Sequence, residues 1–272
     1  SGSQRLFAAG SNMIYEINPD NGQIINSFAS PIPTSEGPTG LALSGEYLFF
    51  TDVFSDYSIY VLDPENGGLI TSFPAPSTSS DGLAFIDPYL YVNDYSYGYI
   101  YVVDPLRGMI QDTLYPPVYI GGGLDGGNDR LFVSDFNYNI FELNPVDGAL
   151  VNSFTTNNMV YGIGFTGERL FISLPGAGID EYDPDTGIFL RSIGTTGYAA
   201  LAGGGNQNAE WLNENPVQVT IPAGDSVSIN LVIIAPDESG HYSADIVLES
   251  NDPDSSTARL HVVLDIITGV AE

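Results

Sequence analysis

The chain predicts a five-bladed β-propeller over residues 4 to about 203, with four-stranded blades and a smaller β-sandwich after it. Three observations carry this: a turn motif that returns five times, strand-like segments on both sides of every turn, and no segment of helical periodicity.

The turn reads NPDNG, DPENG, DPLRG, NPVDG and DPDTG, with its glycine at Gly22, Gly67, Gly108, Gly148 and Gly187, at intervals of 45, 41, 40 and 39 residues. Periods of about 40 to 45 residues are those of propeller blades. Before the turns stand MIYEI, SIYVL, YIYVV, NIFEL and GIDEY, and after them QIINSF, GLITSF, MIQDTL, ALVNSF and IFLRSI, so each turn closes a hairpin. The leading Asn or Asp can bond its own backbone and proline presets φ. The glycine suits a left-handed φ that costs other residues about 1 kcal/mol. These acidic turns are read as structural rather than as calcium loops.

Two further strands complete each unit. RLFAAG, YLFFTD, YLYVND, RLFVSD and RLFISL lie upstream of the hairpins, and the small-residue segments GLALSG, GLAFID, GGGLDG, YGIGF and YAALA fit innermost strands, where blades converge. The chain enters at the second strand of a blade, at Arg5, and the fifth inner strand comes last, at Tyr198 to Ala202. Those ends are expected to share one blade, three N-terminal strands closed by one C-terminal strand, which removes open sheet edges. The expected domains are 1–207, the propeller, and 208–272, an immunoglobulin-like sandwich that is incomplete if it holds four strands only.

The unit G-L-A-x-x-G-E-Y-L-F-x-x-D followed by I-Y-x-L-D-P-E-N-G-x-L-I-x-S-F, at residues 40 to 73, resembles the five-bladed propellers of the plant-type glutamine cyclotransferase family and related extracellular propeller repeats. For the enzymes the resemblance implies a central pocket with tryptophans, a lysine and acidic residues. Here the single tryptophan is Trp211, beyond the propeller, and lysine is absent, so that catalytic pattern does not carry over. Residues 1 to 207 also lack His and Cys, which leaves acid–base work to carboxylates and tyrosines and electrophilic work to Arg5, Arg107, Arg130, Arg169 or Arg191. The expectation is therefore a protein that is not an enzyme.

Composition narrows the partners. Six arginines against 34 acidic residues give a net charge of −28, which repels phosphate backbones and anionic lipid alike, and no apolar run reaches the roughly 20 residues of a membrane span. Nucleic acid and membrane insertion are excluded as expectations. Without cysteine there is no disulfide and no thiolate metal site. Charged residues make up only 15% of the chain, amid abundant Gly, Tyr, Ser and Asn, which suits an exported or bacterial cell-surface protein better than a salt-adapted cytosolic one.

The loops after the second strands are the richest in chemistry. They hold Asp52, Phe54, Asp56 and Tyr57 in one blade, Asp94, Tyr95 and Tyr97 in the next, then Asp135, Phe136 and Tyr138, with Tyr115 and Tyr119 on a connection nearby. The aligned positions in the other blades are Gly10 and Leu174, so the aspartates form an arc on one side. Two readings stay open: each Asp caps its own turn while the aromatics pack between blades, or the arc binds a sugar, a peptide or a cation. No cofactor is expected. No spacing supports a transition metal, and calcium is the only cation the loops leave open.

From about Asn208 the pattern changes to VQVTI, SVSINLVII, HYSADIVLES and STARLHVVLDI, separated by PAGD, APDESG and NDPDS. W-L-x-x-x-P, I-P-A-G-D-S-V-S-I-x-L and G-H-Y-S-A-D-I-V-L-E-S-N-D-P-D resemble bacterial immunoglobulin-like modules, in which Trp211 and Tyr242 would be core anchors. Ile233, Ile246 and Leu248 are among the residues expected to be buried. The closing LDIITGVAE is similar to the junction before a C-terminal sorting signal of the type IX route. The functional expectation is a non-catalytic secreted or surface protein whose propeller recognises a protein or glycan ligand, the alternative being a subunit that assembles with copies of itself, and a third a cyclotransferase-like enzyme.

Overall fold

In a computed structural model of the protein, the described residues are 4–10, 12–32, 39–51, 56–174, 178–194, 200–204, 212–215, 228, 230–233, 240–249 and 257–266. The chain divides into two compact units, Gly2–Asn206 and Gln207–Glu272.

The first unit is a five-bladed propeller of four-stranded antiparallel sheets. Blade I contains β1 (Arg5–Ala9), β2 (Met13–Ile17) and β3 (Ile24–Ala29). Blade II is β4 (Gly40–Leu43), β5 (Leu48–Thr51), β6 (Ser58–Leu62) and β7 (Leu69–Pro74); blade III is β8 (Ser80–Ile86), β9 (Tyr89–Asp94), β10 (Tyr99–Val103) and β11 (Ile110–Leu114). Blade IV is β12 (Leu124–Gly127), β13 (Arg130–Ser134), β14 (Asn139–Leu143) and β15 (Leu150–Thr155); blade V is β16 (Gly162–Phe165), β17 (Leu170–Leu174), β18 (Gly178–Tyr182) and β19 (Phe189–Ile193). The last propeller strand, β20 (Ala200–Gly204), pairs antiparallel with β1, Arg5 opposite Gly204 and Ala9 opposite Ala200, and so closes blade I from inside. Tyr198 lies outside the described residues.

The inner strands β4, β8, β12, β16 and β20 pack against one another in turn around the axis. Small residues make that approach feasible: a Cβ on Gly82 would stand 2.6 Å from the Leu124 backbone nitrogen of the next blade. Because every blade is covered on both faces, most inner and middle strands bury nearly all their residues rather than alternating. Five apolar clusters fill the five seams, for example Phe7, Ile14 and Phe28 with Leu41 and Phe50 between blades I and II.

Polar ties cross the seams. The fully buried Asp125 of β12 accepts the amide protons of Gly126 at 2.9 Å on Oδ1 and of Phe165 and Gly203, both at 2.7 Å, on Oδ2. One carboxylate thus links blades IV, V and I beside the closing strand. Burial pushes its pKa well above the usual carboxylate range, against the lowering effect of the three amide donors.

On the end of the propeller that carries the Pro-x-x-Gly turns, the first arginine of a second strand forks a glutamate of the third. Arg5 meets Glu16 at 2.7 and 3.1 Å, Arg130 meets Glu142 at 2.6 and 3.0 Å, and Arg169 meets Glu181 at 2.7 and 2.9 Å. Each then donates to the proline carbonyl of an adjacent blade's turn: Pro64, Pro184 and Pro19 respectively. Blades II and III carry Tyr47 with Val61 and Tyr89 with Val102 instead of the Arg–Glu pair, and there Tyr91 donates to the Pro145 carbonyl at 3.2 Å.

In the second unit, β21 (Leu212–Asn215) pairs with β22 (Asn230–Ile233), and β23 (Gly240–Glu249) pairs with β24 (Thr257–Ile266), both antiparallel. The strand expected at VQVTI and the anchor Trp211 lie outside the described residues. Ile233, expected to be buried, is 50% exposed, because a two-stranded ladder has too little area of its own to enclose it.

Candidate functional site: the loop face of blades III and IV

Antiparallel order places the loops after the second strands and the connections between blades at one end of the propeller, opposite the Pro-x-x-Gly turns. The five arginines of the propeller are absent from this end. Arg5, Arg130, Arg169 and Arg191 bind glutamates and turn carbonyls, and Arg107 pairs with Asp104 in its own turn. The loop face is therefore acidic and aromatic.

Asp135 and Asp94 occupy equivalent ends of β13 and β9 but differ in their partners. Asp135 Oδ1 accepts from the backbone of Asn137 at 2.7 Å and of Asn139 at 2.9 Å, and its Oδ2 accepts from the Asn139 side chain at 2.6 Å. Asp94 Oδ1 likewise caps its turn, accepting from Ser96 N–H at 2.9 Å and Tyr97 N–H at 3.1 Å. Asp94 Oδ2 is buried and has no hydrogen-bond partner among the described residues. The cause is local: Tyr99 stands opposite Asp94 in the ladder, where blade IV has Asn139. A buried oxygen left without a donor costs roughly 1–3 kcal/mol.

Tyr99 joins the expected residues into a cluster. Its ring stacks on Tyr97 at 5.8 Å and meets Tyr115 edge-on at 4.9 Å, while Tyr97 and Tyr115 are 71% and 65% exposed. Tyr119 pairs with Phe136 at 6.4 Å on the neighbouring blade, both exposed. Tyr138 and Tyr57 are exposed and take left-handed backbones, with φ of 69° and 57°, at the position that Gly98 fills in blade III. Tyr95 is half-buried and donates its N–H to the Ser79 carbonyl at 3.3 Å. Asp56 accepts from the Tyr60 hydroxyl at 2.7 Å, and Asp52 and Phe54 lie outside the described residues.

Two residues escaped the sequence reading. Tyr99 belongs to a strand by pattern, and only aligning it with Asn139 shows that the aspartate's second donor has been exchanged for a ring. Asp81 begins an inner strand, at the position that Gly122 and Tyr161 hold in blades IV and V. It falls where the β8 register shifts, and burial pushes its carboxyl up to about 7 despite a hydrogen bond from Thr39 of blade II. Among the described residues, no group of three acidic or imidazole side chains is placed to hold a metal ion.

No family model matches the chain, and no curated protein does. Among solved structures, glutaminyl cyclase of Myxococcus xanthus is similar at 14% identity and a TM-score of 0.49, over 73% of this chain and 91% of that one. A protein of unknown function from Bacteroides caccae is similar at 12% identity and a TM-score of 0.47, over 75% of this chain and 99% of that one. These likenesses concern the fold, and no residue role passes from either protein to this chain.

Proposed function

We propose that this is a non-catalytic, secreted or bacterial cell-surface protein whose propeller recognises a protein or glycan ligand on its loop face, with residues 208–272 as an immunoglobulin-like spacer or anchor. The observation that carries the reading is the cluster of exposed Tyr97 and Tyr115 around the half-buried Tyr99, which stands opposite the half-paired Asp94. Rigid aromatic groups that remain in water, next to a polar group short of a partner, are the features of a contact surface. The absence of Lys, His and Cys from residues 1–207 and the engagement of the propeller arginines at the opposite end support the non-catalytic part.

Glycan and peptide arrays probed with labelled protein test this. Spots bound by the native chain should weaken about tenfold or more for a Tyr97→Ala/Tyr115→Ala variant. Undiminished binding would remove the loop face, and turnover of a peptide with N-terminal glutamine would overturn the non-catalytic reading.

A second reading has its own observation. The outermost strands begin with exposed apolar pairs, Ile24 and Ile25, Leu69 and Ile70, Met109 and Ile110, Leu150 and Val151, Phe189 and Leu190. A bulge in the same stretch of each strand opposes edge-to-edge pairing, so contact between copies would be through these side chains. Light scattering across a concentration series separates this self-assembling alternative from a monomeric binder.

A further inference from the structure

Asp94 Oδ2 is the place where recognition by the loop face becomes a question of chemistry, and a ligand assigned to it rests on the recognition role proposed above. Asp94 and Tyr99 face each other across the β9–β10 ladder, so their side chains leave the same side of the sheet. Tyr99 is flanked by Tyr97 and Tyr115. The carboxylate thus stands opposite one ring of a three-tyrosine cluster, and aromatic ring faces attract cations. Tyr101, on the same side of β10 two residues on, is held above the usual phenol range by burial first and then by the charge of Asp94.

We propose that Asp94 Oδ2, together with the rings of Tyr97, Tyr99 and Tyr115, receives a primary ammonium group of the kind that ends a lysine side chain. The choice follows from which acceptors remain. Oδ1 is occupied by the Ser96 and Tyr97 amides, so a guanidinium, whose fork matches both carboxylate oxygens, finds only half its target. A quaternary ammonium brings no N–H to the orphaned oxygen. A metal ion would find one free carboxylate oxygen, and no three-ligand group exists among the described residues. A primary ammonium supplies one donor to Oδ2 and presents its remaining charge to the tyrosine faces. Because Oδ2 is closed to water, entry requires the groups that cover it to move aside.

The test is a titration of the isotope-labelled full chain, followed by amide NMR, with Nα-acetyl-lysine methylamide, its Nε-acetylated counterpart and the neutral sugar cellotetraose. The charged lysine compound should shift Ser96, Tyr97 and Tyr99 saturably, and the acetylated compound should not. Asp94→Asn should weaken binding about tenfold to hundredfold. Tyr99→Asn, which returns to Asp94 the donor that Asn139 gives Asp135, should abolish binding while leaving the blade spectrum intact. Equal binding of the acetylated compound, or full binding by either variant, overturns the assignment, as do shifts spread evenly over the acidic Asp183–Thr186 turn. If cellotetraose moves the tyrosine resonances and lysine does not, the ammonium assignment falls and the recognition face stands. If no probe moves this face, the ammonium assignment falls, and the recognition face is then decided by the arrays with the Tyr97→Ala/Tyr115→Ala variant.

Discussion

Replacing Asp125 by alanine removes the acceptor of three amides and should loosen the ring where it closes. The Gly126 amide is local, but those of Phe165 and Gly203 come from two other blades, and in the alanine variant both stay buried with nothing to receive them. At roughly 1–3 kcal/mol for each orphaned donor, the two inter-blade bonds set an expected loss of about 2–6 kcal/mol. That is a large share of the roughly 5–15 kcal/mol that holds a typical domain together. Asp125→Asn should lose less, because its carbonyl can serve the Oδ2 pair while its NH2 group opposes only the local Gly126 amide. Urea unfolding monitored by near-ultraviolet tyrosine dichroism gives the order native, Asn, Ala, and hydrogen exchange should show the Gly203 amide opening fastest in the alanine variant. An alanine variant within about 0.5 kcal/mol of the native chain would refute the claim that this carboxylate ties the closure.

Asp81 should give stability a pH dependence of unusual sign. Its folded pKa of about 7 exceeds the unfolded 3.8, so the folded state binds the extra proton and stability falls as pH rises from about 4 to about 7; Asp81→Asn should flatten that slope in urea midpoints. Glu181 acts the other way. Burial raises its carboxyl, but the hydrogen bonds and charges of Arg169 and Arg191 outweigh burial and hold it below the usual range, so its contribution is lost as pH falls through that lowered value. Glu181→Gln should lower stability at neutral pH and make its fall in acid shallower, read from urea midpoints across the acid range. Gly187→Ala should cost more than about 1 kcal/mol in thermal unfolding, because φ is 67° there and the added Cβ would run into the Phe154 ring.

The blades were legible because each repeats one turn with one steric requirement. Asn or Asp, Pro and Gly at fixed offsets can be read residue by residue, and the five glycines all have φ between 67° and 73°. The closing strand was legible through its count, since a fifth inner strand was missing from the start of the chain. What binds one blade to the next was not. Asp125 lies in a glycine-rich segment that reads as an inner strand, and its donors come from residues 40 and 78 positions away. The arginine forks could have been found by noting that Arg and Glu rise and fall together between blades, as Arg5 with Glu16 against Tyr47 with Val61. At the candidate site the acidic–aromatic loops were visible, but Tyr99 was hidden because strand patterning and site chemistry use the same residue type.

The recognition account is tested most directly by mapping, through amide NMR on the full chain, where the strongest array ligand binds. The account expects shifts confined to residues 94–99, 115–119 and 135–139, with the Pro-x-x-Gly turns silent. Shifts centred on those turns, around Pro64, Pro145 or Pro184, with the tyrosine loops unmoved, would contradict it.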